Sequence, residues 1–369
     1  MERLYIKDFL TQGGSDSEAI AACLRHWNTL PSKPELVFDG RNWFIDEAIL
    51  LYDGMTVIID GCAIRQNDEV FDNVFRSANF RVNPDDSHGL PLSIEPIRDV
   101  KILGRNGAEI VGCEKNRRGR HPHYKEESEM VYCRWGWRTL QIYLLRCDGF
   151  EIGGFTFEKL RSYAVSLEMC SDGYIHDLHF GFDSHSENGD GVHFFPGCHH
   201  CRVEHITGYT SDDTVACTAF LYTRHVRNRY NEETRYPLEC SDLLLREFGP
   251  RALDVHDIDI SGVYTAGLQH TVICLAANGL QVYNITIRDV REGGEGEQGS
   301  AVKIYTGYGG GYNDGDLHDI TVDGVTSRVS NYAVECNTKV RDVVLSNIVQ
   351  RKPDCETFSI ACADGITIV

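Results

Sequence analysis

The chain has 369 residues, 42% of them hydrophobic, with 35 glycines and 14 cysteines, so it can bury a large core. Its net charge of −19, from 36 basic and 55 acidic residues, lacks the basic footprint of a nucleic-acid binder and gives no long-range attraction to polyanions. No apolar run reaches about 18 residues, so no membrane-spanning helix is expected.

Met1-Glu2-Arg3-Leu4 lacks the basic-then-apolar opening of a signal peptide. The scattered cysteines then read as reduced, buried small hydrophobes of a cytoplasmic protein. Ser15-Asp16-Ser17-Glu18 has the form of a capping box. Ile20, Leu24 and Trp27 follow at helical spacing, predicting an amphipathic helix over about residues 16–28.

After Pro31 the apolar pattern takes period two. Strands are expected at Val100–Leu103, Phe150–Ile152, Phe155–Phe157, Tyr174–Phe180, Val203–Ile206, Val255–Ile260, Val282–Ile287, Leu317–Val322 and Val340–Leu345. Six share one phrase: apolar, two polar, apolar, polar, apolar. It starts at 174, 203, 255, 282, 317 and 340, with gaps of 29, 52, 27, 35 and 23. The gap of 52 fits two coils, or one coil plus an insertion. A period in the twenties built from short strands and turns is a solenoid signature. Crossovers between parallel strands are right-handed. The expected fold is therefore all-β, a single-stranded right-handed parallel β-helix forming one domain over residues 1–369. The N-terminal helix would cap one end of the stack and block edge pairing. A β-sandwich, the competing architecture, would not repeat one phrase six times.

The rhythm breaks over about residues 221–253, which hold Arg224, Arg227, Arg229 and Arg235. This stretch reads as a loop inserted between coils, either a lid or a solvated excursion. A second polar excursion runs from Glu114 to Glu129.

Asn188-Gly189-Asp190-Gly191 is followed by Asp212-Asp213, and Asp212 lies 22 residues after Asp190. Residues one coil apart in a parallel β-coil stack at roughly 4.8 Å. The three carboxylates are thus expected on one surface patch. Glycosidic hydrolysis uses one protonated carboxyl as general acid and one carboxylate as base or nucleophile. Like charges held together raise the pKa of at least one. In a regular strand Asp212 and Asp213 would face opposite ways. Both can serve only if the strand ends or bulges after Gly208-Tyr209-Thr210-Ser211. The competing reading of any lone Asp in a Gly-rich turn is a backbone cap.

At these residues the chain resembles glycoside hydrolase family 28, the polygalacturonases and their relatives. That family carries Asn-Thr-Asp-Gly and, about one coil later, Gly-Asp-Asp-Cys-Ile-Ala. Here the segments are Asn188-Gly189-Asp190-Gly191 and Ser211-Asp212-Asp213-Thr214-Val215-Ala216. Val100–Gly112, Arg146–Leu167 and Ala301–Val322 resemble further coils of the family. The resemblance implies inverting hydrolysis without a cofactor or metal. It makes Asp212 the general acid, with Asp190 and Asp213 holding and deprotonating the attacking water. The family histidine maps to His270, which lacks the flanking glycines and lies 57 residues after Asp213. The insertion accounts for the excess over one coil. The family's Arg-x-Lys pair, which grips a galacturonate carboxylate, falls on Lys303 and Tyr305. Lysine offers a point charge instead of a fork, and tyrosine a hydroxyl and a stacking face. The implied substrate therefore departs from plain polygalacturonate, or its carboxylate is gripped by Arg224 or Arg227. Asn188, Lys303, Tyr305, Tyr308 and Tyr312 complete the expected sugar contacts.

Two other motifs compete. Cys198-His199-His200-Cys201 has metal-ligand residue types, but four adjacent residues rarely enclose one zinc. Gly181-Phe182-Asp183-Ser184-His185 resembles a short signature of alginate C5-epimerases, which have Pro in place of Ser184. A uronate lyase or epimerase with His185 as base is thus one alternative, and a non-catalytic carbohydrate-binding solenoid is another. The leading expectation is a hydrolase of pectin-like or related oligo- or polysaccharides. In a cytoplasmic enzyme, small imported oligosaccharides would be the substrates.

Overall fold

The repeated phrase is a corner. In the computed structural model, two columns of left-handed residues recur coil after coil. The model describes residues 2–70, 72–82, 91–114, 118–119, 131–132, 140–160, 162–181, 189–220, 223–227, 233–237, 241–293, 299–306 and 317–369. One column is Gly149, Asp172, His200, Asp257, Asn284, Asp319 and Asp342. The other is Gly154, Asp177, His205, Gly262, Asp289, Gly324 and Asn347. Every member has φ between +50° and +83°. Gly, Asn, Asp and His tolerate this region best, which is why these types fill the polar slots of the phrase.

The corners bend long strands that form a fourteen-stranded sheet, parallel throughout. They include Cys147–Glu158, Ser171–Phe180, His199–Thr210, Val255–Gly267, Val282–Glu292, Leu317–Ser327 and Arg341–Gln350. Short strands between them form a second parallel sheet of ten, including Val165–Glu168, Val192–Phe194, Val215–Ala219, His270–Ala276 and Ser300–Thr306. The architecture is a parallel β-helix. A sandwich is excluded, because antiparallel pairing among the described residues is confined to three two-stranded hairpins.

The register corrects the frame of the repeat. Val255, Val282, Leu317 and Val340 share a column whose earlier members are Cys170 and Cys198, with gaps of 28, 57, 27, 35 and 23. Tyr174 pairs with Arg202, and Val203 pairs with Ile260, so the starts expected at 174 and 203 lie further along the strand. Each long strand turns two corners with the same residue chemistry, and sequence alone does not tell them apart. The long gap is one coil, because His199–Thr210 pairs directly with Val255–Gly267. Its excess holds an antiparallel pair, Thr223–Arg227 with Glu233–Pro237, and a helix, Ser241–Phe248, where a loop was expected.

Inside the coils, Ile152, Ile175, Val203, Ile260, Ile287, Val322 and Leu345 form one fully buried column. Phe157 stacks on Phe180 with ring centroids 5.5 Å apart. Cys198 and Cys201 are also buried here, and Cys198 Sγ donates to Leu167 O at 3.3 Å. His199 and His200 stand on the outside, so this run does not converge on a metal. At the N-terminal end, helix α1 spans Asp16–Thr29. Ser15 Oγ accepts from Glu18 N at 3.2 Å, and Glu18 Oε2 accepts from Ser15 N at 2.8 Å, which completes the capping box. Its Ile20, Cys23, Leu24 and Trp27 join the main core, covering the first coils.

Candidate active site

Short strands one coil apart align Val165, Val192, Val215 and Val272. The same register places Tyr163, Asp190, Asp213 and His270 in one column, followed by Ser300. The stacking partner of Asp190 is therefore Asp213, 23 residues on, and Asp212 sits one residue earlier. Ser211–Asp213 lies between the strands His199–Thr210 and Val215–Ala219. Strand alternation does not act there, so both aspartates line the same cleft.

Backbone bonds lock this turn: Ala164 N to Asp190 O at 2.9 Å, Gly191 N to Asp213 O at 3.0 Å, Thr214 N to His270 O at 2.9 Å. Thr210 Oγ1 donates to Asp212 O at 3.0 Å and lies 2.8 Å from Thr214 Oγ1. A Cβ at Gly191 would sit 2.5 Å from Thr214 O and 2.8 Å from the Phe180 ring, so no larger residue fits.

The cleft has a volume of about 310 Å³. Its floor is the outer face of the short-strand sheet. His193, Ala216, Ile273 and Lys303 form one outward column, and Thr218, Leu275 and Tyr305 form the next. The three aspartates, Gln269 and His270 line it with them.

Asp190 is 2% exposed. Burial, then the charges of Asp212 and Asp213, push its carboxyl well above the usual range. Its Oδ2 lies 2.7 Å from His193 Nδ1, and its Oδ1 has no hydrogen-bond partner. Asp213 is also raised, by burial and then by Asp212. Opposing that, His270 N–H donates to Asp213 Oδ1 at 3.2 Å and Lys303 contributes positive charge. Burial pushes Asp212 up to about 6, against the Asp213 backbone N–H. The three groups cannot all be ionised together near neutral pH, so the cleft retains protons.

Both histidines here are neutral. Burial lowers His193 to about 3 and His270 to about 4. His270 Nδ1 lies 3.0 Å from Ser300 O and 3.1 Å from Ser300 Oγ; the carbonyl only accepts and the hydroxyl donates to Glu335 Oε2 at 3.3 Å, so Nδ1 carries the proton and Nε2 is the bare nitrogen. Lys303 Nζ lies 3.4 Å from Glu335 Oε2 and 5.0 Å from the centre of the Tyr305 ring.

Asp190, Asp212, Asp213, His270, Lys303 and Tyr305 thus share one cleft. Asn188, Tyr308, Tyr312 and the Phe182–His185 part of the epimerase-like motif lie outside the described residues. So do the side chains of Arg224 and Arg227, whose backbone belongs to the insertion's Thr223–Arg227 strand. Sequence reasoning missed His193, Thr218 and Glu335. The available signal for His193 was an imidazole between the core residues Val192 and Phe194, hence outward on the strand that follows the Asp190 turn. Among the described residues no group of three or more His, Cys, Asp or Glu is arranged to hold a metal.

No family model matches the chain, and no curated protein matches it by sequence. Solved structures do resemble it. One is the polygalacturonase from Erwinia carotovora ssp. carotovora, at 12% identity and a TM-score of 0.58, covering 100% of this chain and 96% of that one. Another is a 1,3-α-1,4-β-D-galactose-4-sulfate-3,6-anhydro-D-galactose-2-sulfate 4 galactohydrolase, at 10% identity and a TM-score of 0.57, covering 97% and 90%. A third is a mutant tailspike protein of E. coli bacteriophage HK620 in complex with a pentasaccharide, at 11% identity and a TM-score of 0.55, covering 100% and 67%. At these identities the likeness establishes a shared fold.

Proposed function

We propose that the protein is a glycoside hydrolase that cleaves a pectin-like or related oligo- or polysaccharide with inversion. The observation that carries this reading is the convergence of three carboxyl groups from two adjacent coils in one cleft. Asp212, pushed up to about 6, is the general acid. It gives its proton to the glycosidic oxygen as the bond to the anomeric carbon breaks. Water attacks that carbon from the opposite face and yields its proton to Asp190 or Asp213. The His270 N–H and Lys303 partly offset the burial that raises Asp213, which favours it as the base. His270 Nε2 and the Tyr305 ring supply an acceptor and a stacking face for the sugar. Asn188, Arg224 and Arg227 are proposed as further contacts from the cleft's surroundings.

Hydrolysis is preferred to elimination on charge grounds. Elimination from a uronate needs its carboxylate neutralised, whereas Lys303, the cation among the described lining residues, is paired with Glu335 and faces three aspartates. The named neighbours, two of them hydrolases and one a sugar-bound tailspike, support carbohydrate as the ligand.

The test is a glycan panel read by proton NMR and ultraviolet absorbance. The expected result is a new reducing end whose first-formed anomer is inverted. An unsaturated, absorbing product would replace hydrolysis by elimination. Tight binding without turnover on any glycan would make the protein a binding solenoid.

A further inference from the structure

We propose that His193 is a positioning residue for Asp190: its Nδ1–H donates to Asp190 Oδ2 while its Nε2 accepts the Thr218 hydroxyl proton, which fixes the carboxylate's orientation and favours its ionised form. The catalytic consequence rests on the hydrolase reading; the hydrogen-bond assignment does not.

Three features build the arrangement. Val192 and Phe194 point into the core, so His193 is forced onto the cleft face of its strand. Its partner one coil on is Ala216, whose single methyl lets the imidazole lean across to Thr218. The ring is then clamped, stacked on Phe195 with centroids 3.9 Å apart and lying 4.7 Å from the Tyr163 ring.

The destination of the Thr218 hydroxyl proton sets the tautomer. Thr218 Oγ1 is 2.6 Å from His193 Nε2 and 3.4 Å from Phe194 O. We assign its one proton to the shorter contact, the imidazole nitrogen; a hydrogen on Nε2 would instead send the hydroxyl proton to Phe194 O. A neutral ring that accepts at Nε2 carries its hydrogen at Nδ1, 2.7 Å from Asp190 Oδ2. Burial keeps the ring neutral. The reverse tautomer would set a bare Nδ1 against Oδ2, so that Asp190 would itself have to hold a proton there. Asp190 would then not be a base. The two assignments differ by one proton and have opposite chemical consequences.

This N–H acts against the burial and like charge that raise Asp190. The other titratable groups lining the same cleft are Asp212, Asp213, His270, Lys303 and, against the ring itself, Tyr163.

The experiment has two arms on the full chain. In the first, nitrogen-15 NMR of labelled histidine reads the His193 tautomer near pH 6 without substrate. The expected result is a neutral ring protonated at Nδ1; protonation at Nε2 overturns the proposal whether or not any sugar is cleaved. The second arm compares His193→Leu with His193→Asn, whose amide can reach Asp190 from the Nδ1 position. His193→Leu should lower kcat about 10²-fold with KM nearly unchanged. It should also move the acid limb of the kcat profile up by about one unit. His193→Asn should restore most of the rate and the limb. A wild-type acid limb in His193→Leu, or equal losses in both variants, overturns the positioning role. If Nδ1 is protonated and no glycan is turned over, the hydrolase reading fails and the hydrogen-bond assignment stands.

Discussion

Replacing Asp212 by Asn should stabilise the fold at high pH and leave it unchanged at low pH. Burial raises this carboxyl from its ordinary 3.8 to about 6. The folded chain thus binds the proton more tightly than the unfolded one. Stability from this group is whole below the unfolded value and is lost as pH rises through about 6. The rise from 3.8 to about 6 corresponds to about 3 kcal/mol. Asp212 is only half-buried, and solvent screening reduces the expected cost to about 1–2 kcal/mol. Asparagine keeps the shape, can still accept the Asp213 N–H, and never ionises. It also removes a like charge from Asp190 and Asp213. A chain of this length has a melting entropy of about 0.8 kcal/mol/K, so the gain is about 1–3 °C. Thermal melts of both proteins at pH 4 and pH 8 provide the assay. A gain at pH 8 several times that at pH 4 is expected, since pH 4 lies just above the ordinary 3.8 of the unfolded chain. Equal shifts at both pH values, or a loss at pH 8, would refute the strained-carboxyl argument and the acid role built on it.

Three further outcomes follow from the same geometry. Hydrolysis should fall about tenfold per pH unit above about 6, as Asp212 loses the proton it must donate; a kcat/KM profile still rising at pH 8 would assign the acid elsewhere. Gly191→Ala should cost about 1–3 kcal/mol in a urea titration, because its Cβ meets Thr214 O and the Phe180 ring. It should also impair turnover, since Gly191 N ties the Asp190 turn to Asp213 O. Ser15→Ala should cost about 1 kcal/mol through the lost cap, with turnover unchanged.

The α1 helix was legible because its capping box and apolar spacing are local, and the observed helix ends one residue beyond the expected one. The β-helix was legible because a phrase shaped by left-handed corners recurs down the chain. Its frame was not, because both corners of a coil draw on the same few residue types. The same limit governed the site. Asp190, Asp212 and Asp213 could be found from the sequence because they sit in turns, Asp190 between two glycines and the other two as an adjacent pair. Lys303 faces Glu335 only because these two residues are register partners on adjacent coils, 32 positions apart. His193 reaches Thr218 only because Ala216 between them is small. Such contacts depend on insertion lengths that no local pattern encodes.

A second carboxylate in the same molecule shows what a satisfied turn cap looks like, and Asp190 differs from it. Glu292 is 2% exposed, as Asp190 is, and also sits at a strand end. Its Oε2 accepts from Ser327 Oγ at 2.9 Å and from the backbone N–H groups of Arg328, Val329 and Ser330 at 2.8, 3.1 and 3.2 Å. Its Oε1 accepts from Ser330 Oγ. That is a turn carboxylate with its charge satisfied. Asp190 has one oxygen unpartnered and two like charges beside it. The two groups should therefore respond oppositely to neutralisation. Glu292→Gln would turn an amide NH₂ or a weaker acceptor toward five donors, a loss of about 1–3 kcal/mol at pH 7. Asp190→Asn should hold or raise stability at pH 7 while turnover collapses. Equilibrium unfolding of both variants reads the difference. Asp190→Asn destabilised as much as Glu292→Gln would return Asp190 to the role of a structural cap.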